Sequence, residues 1–188
     1  AIDSGPDRLL DYTPTRATMG ADRTGTGQVA TVGGGAPAYA RFLLDELKPR
    51  IDARYRTRPE AAGTAVGGSS LGGLVSLWLA LQHPDRIGAA LVVSPSLWWD
   101  DRLPLRLARA WPLQVPARPR LWLDMGAHEG AEALPALRQL QEALMARGWS
   151  APTLAVVEDA QGGHDEASWA ARGEGMLRFL YGPLVAPR

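Results

Sequence analysis

The stretch Thr64-Ala65-Val66-Gly67-Gly68-Ser69-Ser70-Leu71-Gly72-Gly73-Leu74-Val75-Ser76-Leu77-Trp78 does most to limit what this chain can become. A short apolar run halts at two glycines. Two serines and a leucine follow, then two more glycines, then a run that reads as a buried helix. Gly68-Ser69-Ser70-Leu71-Gly72 fits G-x-S-x-G, the sharp strand-to-helix elbow that holds a serine hydroxyl clear of the backbone. Glycine suits the flanking positions because a side chain there would meet the neighbouring strand or helix. Ser70 fits the pattern; Ser69 does not, because Leu71 stands two residues after it. Glycine makes up 21 of the 188 residues, so a bare match says little and the context decides. Residues 71–82 carry Leu71, Leu74, Val75, Leu77, Trp78, Leu79 and Leu81. They are apolar nearly all round, as in a helix packed inside a domain.

The same alternation of apolar run and helical pattern continues along the chain. Ala1-Ile2-Asp3 reads as the tail of a strand, and residues 4–14 as a turn-rich connection. Residues 15–37 hold Gly20, Gly25, Gly27, Gly33, Gly34 and Gly35 with no hydrophobic period; the reading is a flexible glycine-rich loop, functional or disordered. Tyr39, Leu43, Leu47, Ile51 and Tyr55 recur every four residues and predict a helix over 37–56, kinked at Pro49. Strand 64–68 and helix 71–82 follow, the latter ended by His83-Pro84. Strands are then predicted over 88–94, 119–125 and 152–158, with helices over 101–111, 131–147 and 165–180. Alternating strands and helices argue for a single α/β domain over 1–188, a mostly parallel sheet with helices on both faces. Ligand sites in such sheets lie beyond the carboxyl ends of the strands, and Ser70, Trp98, Glu129 and His164 all fall just after predicted strands.

Composition narrows the chemistry. Lys+Arg and Asp+Glu are both 20, so no basic field points to nucleic acid and no basic amphipathic helix points to a membrane. There is no cysteine, which excludes thiol catalysis, disulfides and cysteine-bound metal. No run of roughly 18 apolar residues is present to span a bilayer. No segment reads as a signal peptide, and residue 1 is Ala rather than Met, so the compartment, cytoplasmic or periplasmic, is left open.

A serine hydroxyl is a poor nucleophile until a base takes its proton, and that base needs a third group to orient it. Of three histidines, His83 sits at a helix end before proline, where capping explains it, and His128 reads as a loop residue that at most lines a site. His164 follows two glycines after the last strand, where the base belongs in this architecture. For the acid, Glu129 stands in a glycine-flanked turn after a strand. Asp124, Asp159 and Asp165 are the alternatives, Asp124 within the strand and Asp165 favouring a helix N-terminus. The order Ser70, Glu129, His164 is the one expected of the elbow architecture, and the N–H of Leu71 is the expected oxyanion donor. A second donor belongs to a loop after an earlier strand, at residues 3–5 or upstream. Trp98 and Trp99 are candidates for an aromatic wall, with ordinary packing as the alternative.

Taken together, Asp11-Tyr12-Thr13-Pro14, Phe42-Leu43-Leu44-Asp45-Glu46-Leu47-Lys48-Pro49, the elbow, Ser94-Pro95-Ser96-Leu97-Trp98-Trp99, Gly126 to Glu129, and Gly163-His164-Asp165-Glu166 with Trp169 resemble one family along essentially the whole chain. The sequence is similar to the Putative esterase (esterase D-like) family of α/β-hydrolases, closest to the enterochelin (siderophore) esterase-like group. The resemblance implies a serine esterase for small-molecule esters, siderophore-like or short-chain acyl, working without metal or cofactor. It makes Ser70 the nucleophile, His164 the base and Glu129 the acid. It also implies strands before the position of Ala1 that are missing here, and hence an uncovered sheet edge. Such an edge invites pairing with another chain, so the chain is expected to form a homo-oligomer or to have lost an N-terminal part. Two rivals keep the same residues: an acyltransferase that passes the acyl group to an alcohol or sugar, and a catalytically impaired binding remnant.

Overall fold

The computed structural model describes residues 1–2, 5–20, 27–115 and 117–182. In chain order the elements are α1 (Arg8–Asp11), strands β1 (Arg16–Met19) and β2 (Ala30–Gly33), and α2 (Ala36–Arg41), which passes through a π-helical stretch (Phe42–Leu47) into α3 (Lys48–Arg54). Then come β3 (Ala65–Ser69), α4 (Leu71–Gln82), β4 (Ala89–Val93), α5 (Trp99–Ala110), β5 (Arg120–Gly126), α6 (Ala133–Met145), β6 (Leu154–Asp159), α7 (Glu166–Ala171) and α8 (Gly173–Tyr181).

The four apolar runs pair in parallel in the order β3-β4-β5-β6. Continuous apolar strands belong in such a sheet because both faces are covered, and the pleat sends alternate residues to opposite faces. Ala90 and Val92 of β4, Leu121, Leu123 and Met125 of β5, and Val156 of β6 join a core with Leu77, Leu81, Leu105, Leu137, Leu140 and Leu144 of α4, α5 and α6. Leu91, Val93, Trp122, Ala155 and Val157 face the other way, onto Trp169 of α7 and Met176 and Phe179 of α8. Helices therefore cover both faces, the α/β arrangement expected. Each fully buried leucine in this core contributes about 2 kcal/mol of transfer free energy.

The ends of the helices follow local chemistry. α4 stops at Gln82 because Pro84 disfavours helical backbone at His83, which leaves the helical region at φ −129°, ψ 52°. α6 runs into Gly148, whose φ of +93° closes the turn while the N–H of Trp149 bonds the Leu144 carbonyl at 3.2 Å. The helix predicted over 37–56 is irregular around Pro49, as expected, but through π-helical turns at Phe42–Leu47 that relieve the clash of the proline ring with the preceding turn.

Two expectations are corrected. The 15–37 stretch is not loop throughout: β1 and β2 form an antiparallel ribbon, Arg16 opposite Gly33 and Met19 opposite Ala30. Its buried face is Ala17 and Met19, packed with Val32 against Leu71, Leu74, Trp99 and Leu103. An alternation only four residues long is too brief to register as a period. Residues 21–26, which include Gly25, lie outside the described residues. Ala1 and Ile2 belong to no strand, and Asp3 lies outside the described residues, so the expected strand tail is not seen. Among the described residues β3 pairs with β4 alone.

Candidate active site

The elbow is built by backbone. β3 ends at Ser69, α4 begins at Leu71, and between them Ser70 sits at φ +60°, ψ −120°, a conformation that costs a side-chain-bearing residue about 1–3 kcal/mol. Three hydrogen bonds hold it: Ser70 N–H to the Val93 carbonyl at 3.0 Å, and the N–H groups of Leu74 and Ser96 to the Ser70 carbonyl, both at 3.1 Å. The glycines matter unequally. A Cβ on Gly68 would lie 2.9 Å from the Gly72 carbonyl carbon, and one on Gly73 would lie 2.8 Å from the Val93 oxygen. A Cβ on Gly72 would meet nothing within 4 Å. Leu71, buried at the start of α4, carries one of the N–H groups that find no acceptor within their own helix.

Across the cleft, the turn after β5 carries Glu129 and the turn after β6 carries His164. His164 Nδ1 lies 2.7 Å from Glu129 Oε2. Glu129 Oε1 accepts the Gly126 N–H and the Ser94 hydroxyl, each at 2.6 Å. The carboxylate side chain is 3% exposed, and the imidazole 46%. The Trp169 ring stands edge-on to His164, centroids 5.2 Å apart. Ser70, Glu129 and His164 line one cleft of about 480 Å³ together with Leu97, Trp98 and Met125. Among the described residues no hydrogen bond joins the Ser70 hydroxyl to His164; such bonds often close only around a bound substrate. A larger hollow, about 990 Å³, lies at the opposite ends of the strands. There Lys48 and Arg58 are paired with Asp52 and Glu60, and Arg118 and Arg120 with backbone carbonyls.

The other sequence candidates fall elsewhere. His83 caps α4 against Trp78. His128 is exposed, its N–H bonded to the Gly162 carbonyl. Asp165 caps α7, accepting the Ser168 N–H at 2.9 Å. Trp98 and Trp99 part company: Trp98 is 44% exposed on the cleft, whereas Trp99 is fully buried and donates from Nε1 to Thr15. The wall expected of two tryptophans is one, because the ribbon β1–β2 claims the second. Of the positions expected for a second oxyanion donor, Asp3 and Ser4 lie outside the described residues.

Behind Glu129 is a polar cluster that joins Asp124 and Asp159, two of the alternative acids, through Arg172, which the sequence did not flag. Asp124, fully buried in β5, accepts Trp122 Nε1–H at 2.7 Å and Arg172 Nη2–H at 3.0 Å. Burial pushes its carboxyl up, against the pull of those donors. Arg172 also bonds Asp159 at 2.9 Å and so holds that carboxyl below its usual range. Arg172 gives no signal in sequence, since it falls at a helix junction; only two buried-side acids in need of a cation could have hinted at it.

A left-handed turn borders the cleft at Arg102. Asp100, Asp101 and Arg102 have φ of 42°, 49° and 57°. Thr15 donates to Asp100 Oδ2 at 2.7 Å, and Arg106 reaches the carbonyls of Asp100 and Asp101. Arg102, on the cleft side, bonds Gln139 at 2.8 Å. Among the described residues no cluster of acids and histidines is arranged to hold a metal ion, and no helix is long and apolar enough to cross a membrane.

Comparison with known proteins supplies the lineage. The iron(III) enterobactin esterase of Escherichia coli O6:H1 (strain CFT073) is 31% identical over 160 residues, covering 81% of this chain and 39% of that enzyme. The crystal structure of the BES protein from Bacillus cereus superposes with TM-score 0.76 at 23% identity, over 95% of this chain and 66% of that one, and so shares the fold. The enterochelin esterase structure from Shigella flexneri gives TM-score 0.67 at 26% identity, over 79% of this chain and 38% of that one. The chain thus spans about two fifths of the length of these two esterases. Matched from residue 14 to residue 180, it belongs to the family described as Putative esterase.

Proposed function

We propose that the chain hydrolyses carboxylic esters through Ser70, His164 and Glu129. The observation that carries this is the 2.7 Å contact between His164 Nδ1 and a buried Glu129 oxygen, in the same cleft as the elbow serine. A carboxylate only accepts hydrogen bonds, so Nδ1 carries the proton and Nε2 is left as the base. Ser70 Oγ attacks the acyl carbonyl while Nε2 takes its proton. The oxyanion that forms is stabilised by the Leu71 N–H. The imidazolium returns its proton to the departing alkoxide, and water, activated by the same base, releases the acid from the acyl-enzyme. The names of the relatives point to small-molecule esters of the siderophore type, with short-chain acyl esters as the simpler alternative, and Trp98 offers them an apolar face.

Hydrolysis of p-nitrophenyl acetate and butyrate by the wild type and Ser70→Ala tests the reading. The variant is expected to lose at least about 10³-fold in kcat/KM. Equal rates for the two proteins would leave only a binding remnant. Product analysis with an added alcohol separates hydrolysis from acyl transfer: the free acid is expected, and an ester of the added alcohol as the main product overturns hydrolysis.

Among the described residues β3 ends the sheet, pairing with β4 alone, and this supports one further part of the proposal, that two copies associate through its outer edge. Light scattering is expected to show mass rising with concentration; a constant monomer overturns it.

A further inference from the structure

Ser94 follows β4 directly and is fully buried at φ +39°. Its N–H is shared between the carbonyl and Oδ1 of Asp124, both at 3.1 Å. Its Oγ meets three partners. Trp169 Nε1 and Arg172 Nη2 each lie 3.0 Å away, and Glu129 Oε1 lies 2.6 Å away. Indole N–H and guanidinium can only donate, and a hydroxyl has two lone pairs and one proton. Both lone pairs are therefore spoken for, and the one proton has a single direction left, toward Glu129.

That direction propagates. Glu129 Oε1 accepts from Ser94 and from the Gly126 N–H, so the carboxylate cannot rotate without breaking two short, charge-assisted bonds. Oε2 is thereby presented to His164 Nδ1. The Arg172 guanidinium, 5% exposed and also paired with Asp124 and Asp159, is the anchor at the far end. We propose that Ser94 is a positioning residue for this centre: Arg172 and Trp169 hold its hydroxyl so that its proton locks Glu129 in the orientation that serves His164. The proposal rests on the reading of Glu129 and His164 as acid and base.

The test uses Ser94→Gly in the full chain, because glycine accepts a positive φ without strain while losing the hydroxyl, with Ser94→Ala as a second variant. Three readouts are taken: p-nitrophenyl acetate kinetics, the pH–rate profile, and the downfield proton resonance of the His164 Nδ1–H. Loss of the hydroxyl is expected to lower kcat about 10- to 100-fold with KM within about twofold. The acid limb of kcat/KM moves to higher pH, because a donor that drew charge from Glu129 is gone. The downfield resonance moves or disappears. A structural role alone would lower activity and melting temperature together but leave the limb and the resonance where they are, and that outcome overturns the proposal, as does unchanged kcat. Should neither Ser94 variant fold, Trp169→Phe takes their place. It leaves the hydroxyl one donor short, and a resonance unmoved by it equally overturns the proposal. The resonance needs no turnover, so a shift in it beside an undiminished Ser70→Ala would keep the Ser94 contact and sink the esterase reading instead.

Discussion

Around Glu129 three hydrogen bonds converge on two carboxylate oxygens, and all but one of the groups behind them are side chains. Around Ser70 the restraints are backbone N–H and carbonyl groups, and the space is cut by the absence of side chains at Gly68 and Gly73. The difference teaches where each half of the centre is vulnerable. Glu129, the proposed acid, is set by electrostatics, which a single isosteric exchange can alter while the packing stays. Ser70, the proposed nucleophile, is set by sterics, which an atom added at Gly68 or Gly73 disturbs along with the fold. Ser70 follows β3 and Glu129 follows β5, parallel strands with β4 between them, so both lie at the same end of one sheet and the contrast is one of local chemistry.

The sharpest way to break the comparison is Glu129→Gln, which keeps the shape and removes the charge. With the imidazole left in the wrong tautomer, kcat is expected to fall by about 10²–10⁴-fold, with the melting temperature within a few degrees of wild type; kinetics beside calorimetry reads both. A large loss of stability would place Glu129 among the structural residues. Next in size is the pair Gly68→Ala and Gly72→Ala. The first drives a methyl into the Gly72 backbone and is expected to cost about 1–3 kcal/mol, a fall of roughly 2–12 °C in Tm at this chain length. The second places a methyl in open space within a helix and is expected to gain about 0.5–1 kcal/mol. Thermal unfolding of the two ranks them, and a reversed order would mean that the elbow is not held by close approach.

The smallest effect concerns acid. Arg172 holds Asp159 below its usual range, so at low pH the unfolded chain binds the proton more readily than the folded one. The stability from this pair is complete above the ordinary Asp range, near about pH 4, and fades as pH falls through the lowered folded value. Asp159→Asn is expected to flatten that limb in urea midpoints measured between about pH 2.5 and 6. An unchanged slope would mean that the arginine acts through Asp124 alone.

Much of the sheet was legible because its signals are long and redundant. The runs that became β3 to β6 are apolar across both faces, and α4 and α6 carry their leucines at helical spacing. The ribbon was not legible: its buried face is Ala17, Met19 and Val32, too few residues to rise above a glycine-rich background. At the site, Ser70, Glu129 and His164 could be nominated because each follows a predicted strand beside glycine. Their partners could not. Ser94 reads as one more serine before a proline, and Arg172 as a surface arginine, since nothing local betrays that a chain folded over 78 residues brings them to 3.0 Å. Trp99 misled for the complementary reason: adjacent tryptophans look like a matched pair until the backbone turns one inward.

Three successive residues with positive φ, Asp100 to Arg102, lie beside Trp98, with Arg102 on the rim of the cleft. That rim is tethered to Thr15, which belongs to a segment 85 residues earlier, and to Arg106 from within. The rim is therefore tied to Thr15, just ahead of β1, and through Arg102 to Gln139 of α6. On the proposed reading, an ester seated against Trp98 would meet a rim whose tethers, to Thr15 and Gln139, are separate from those that hold Glu129, to Ser94 and Gly126, so the entrance and the chemistry beneath it are anchored independently.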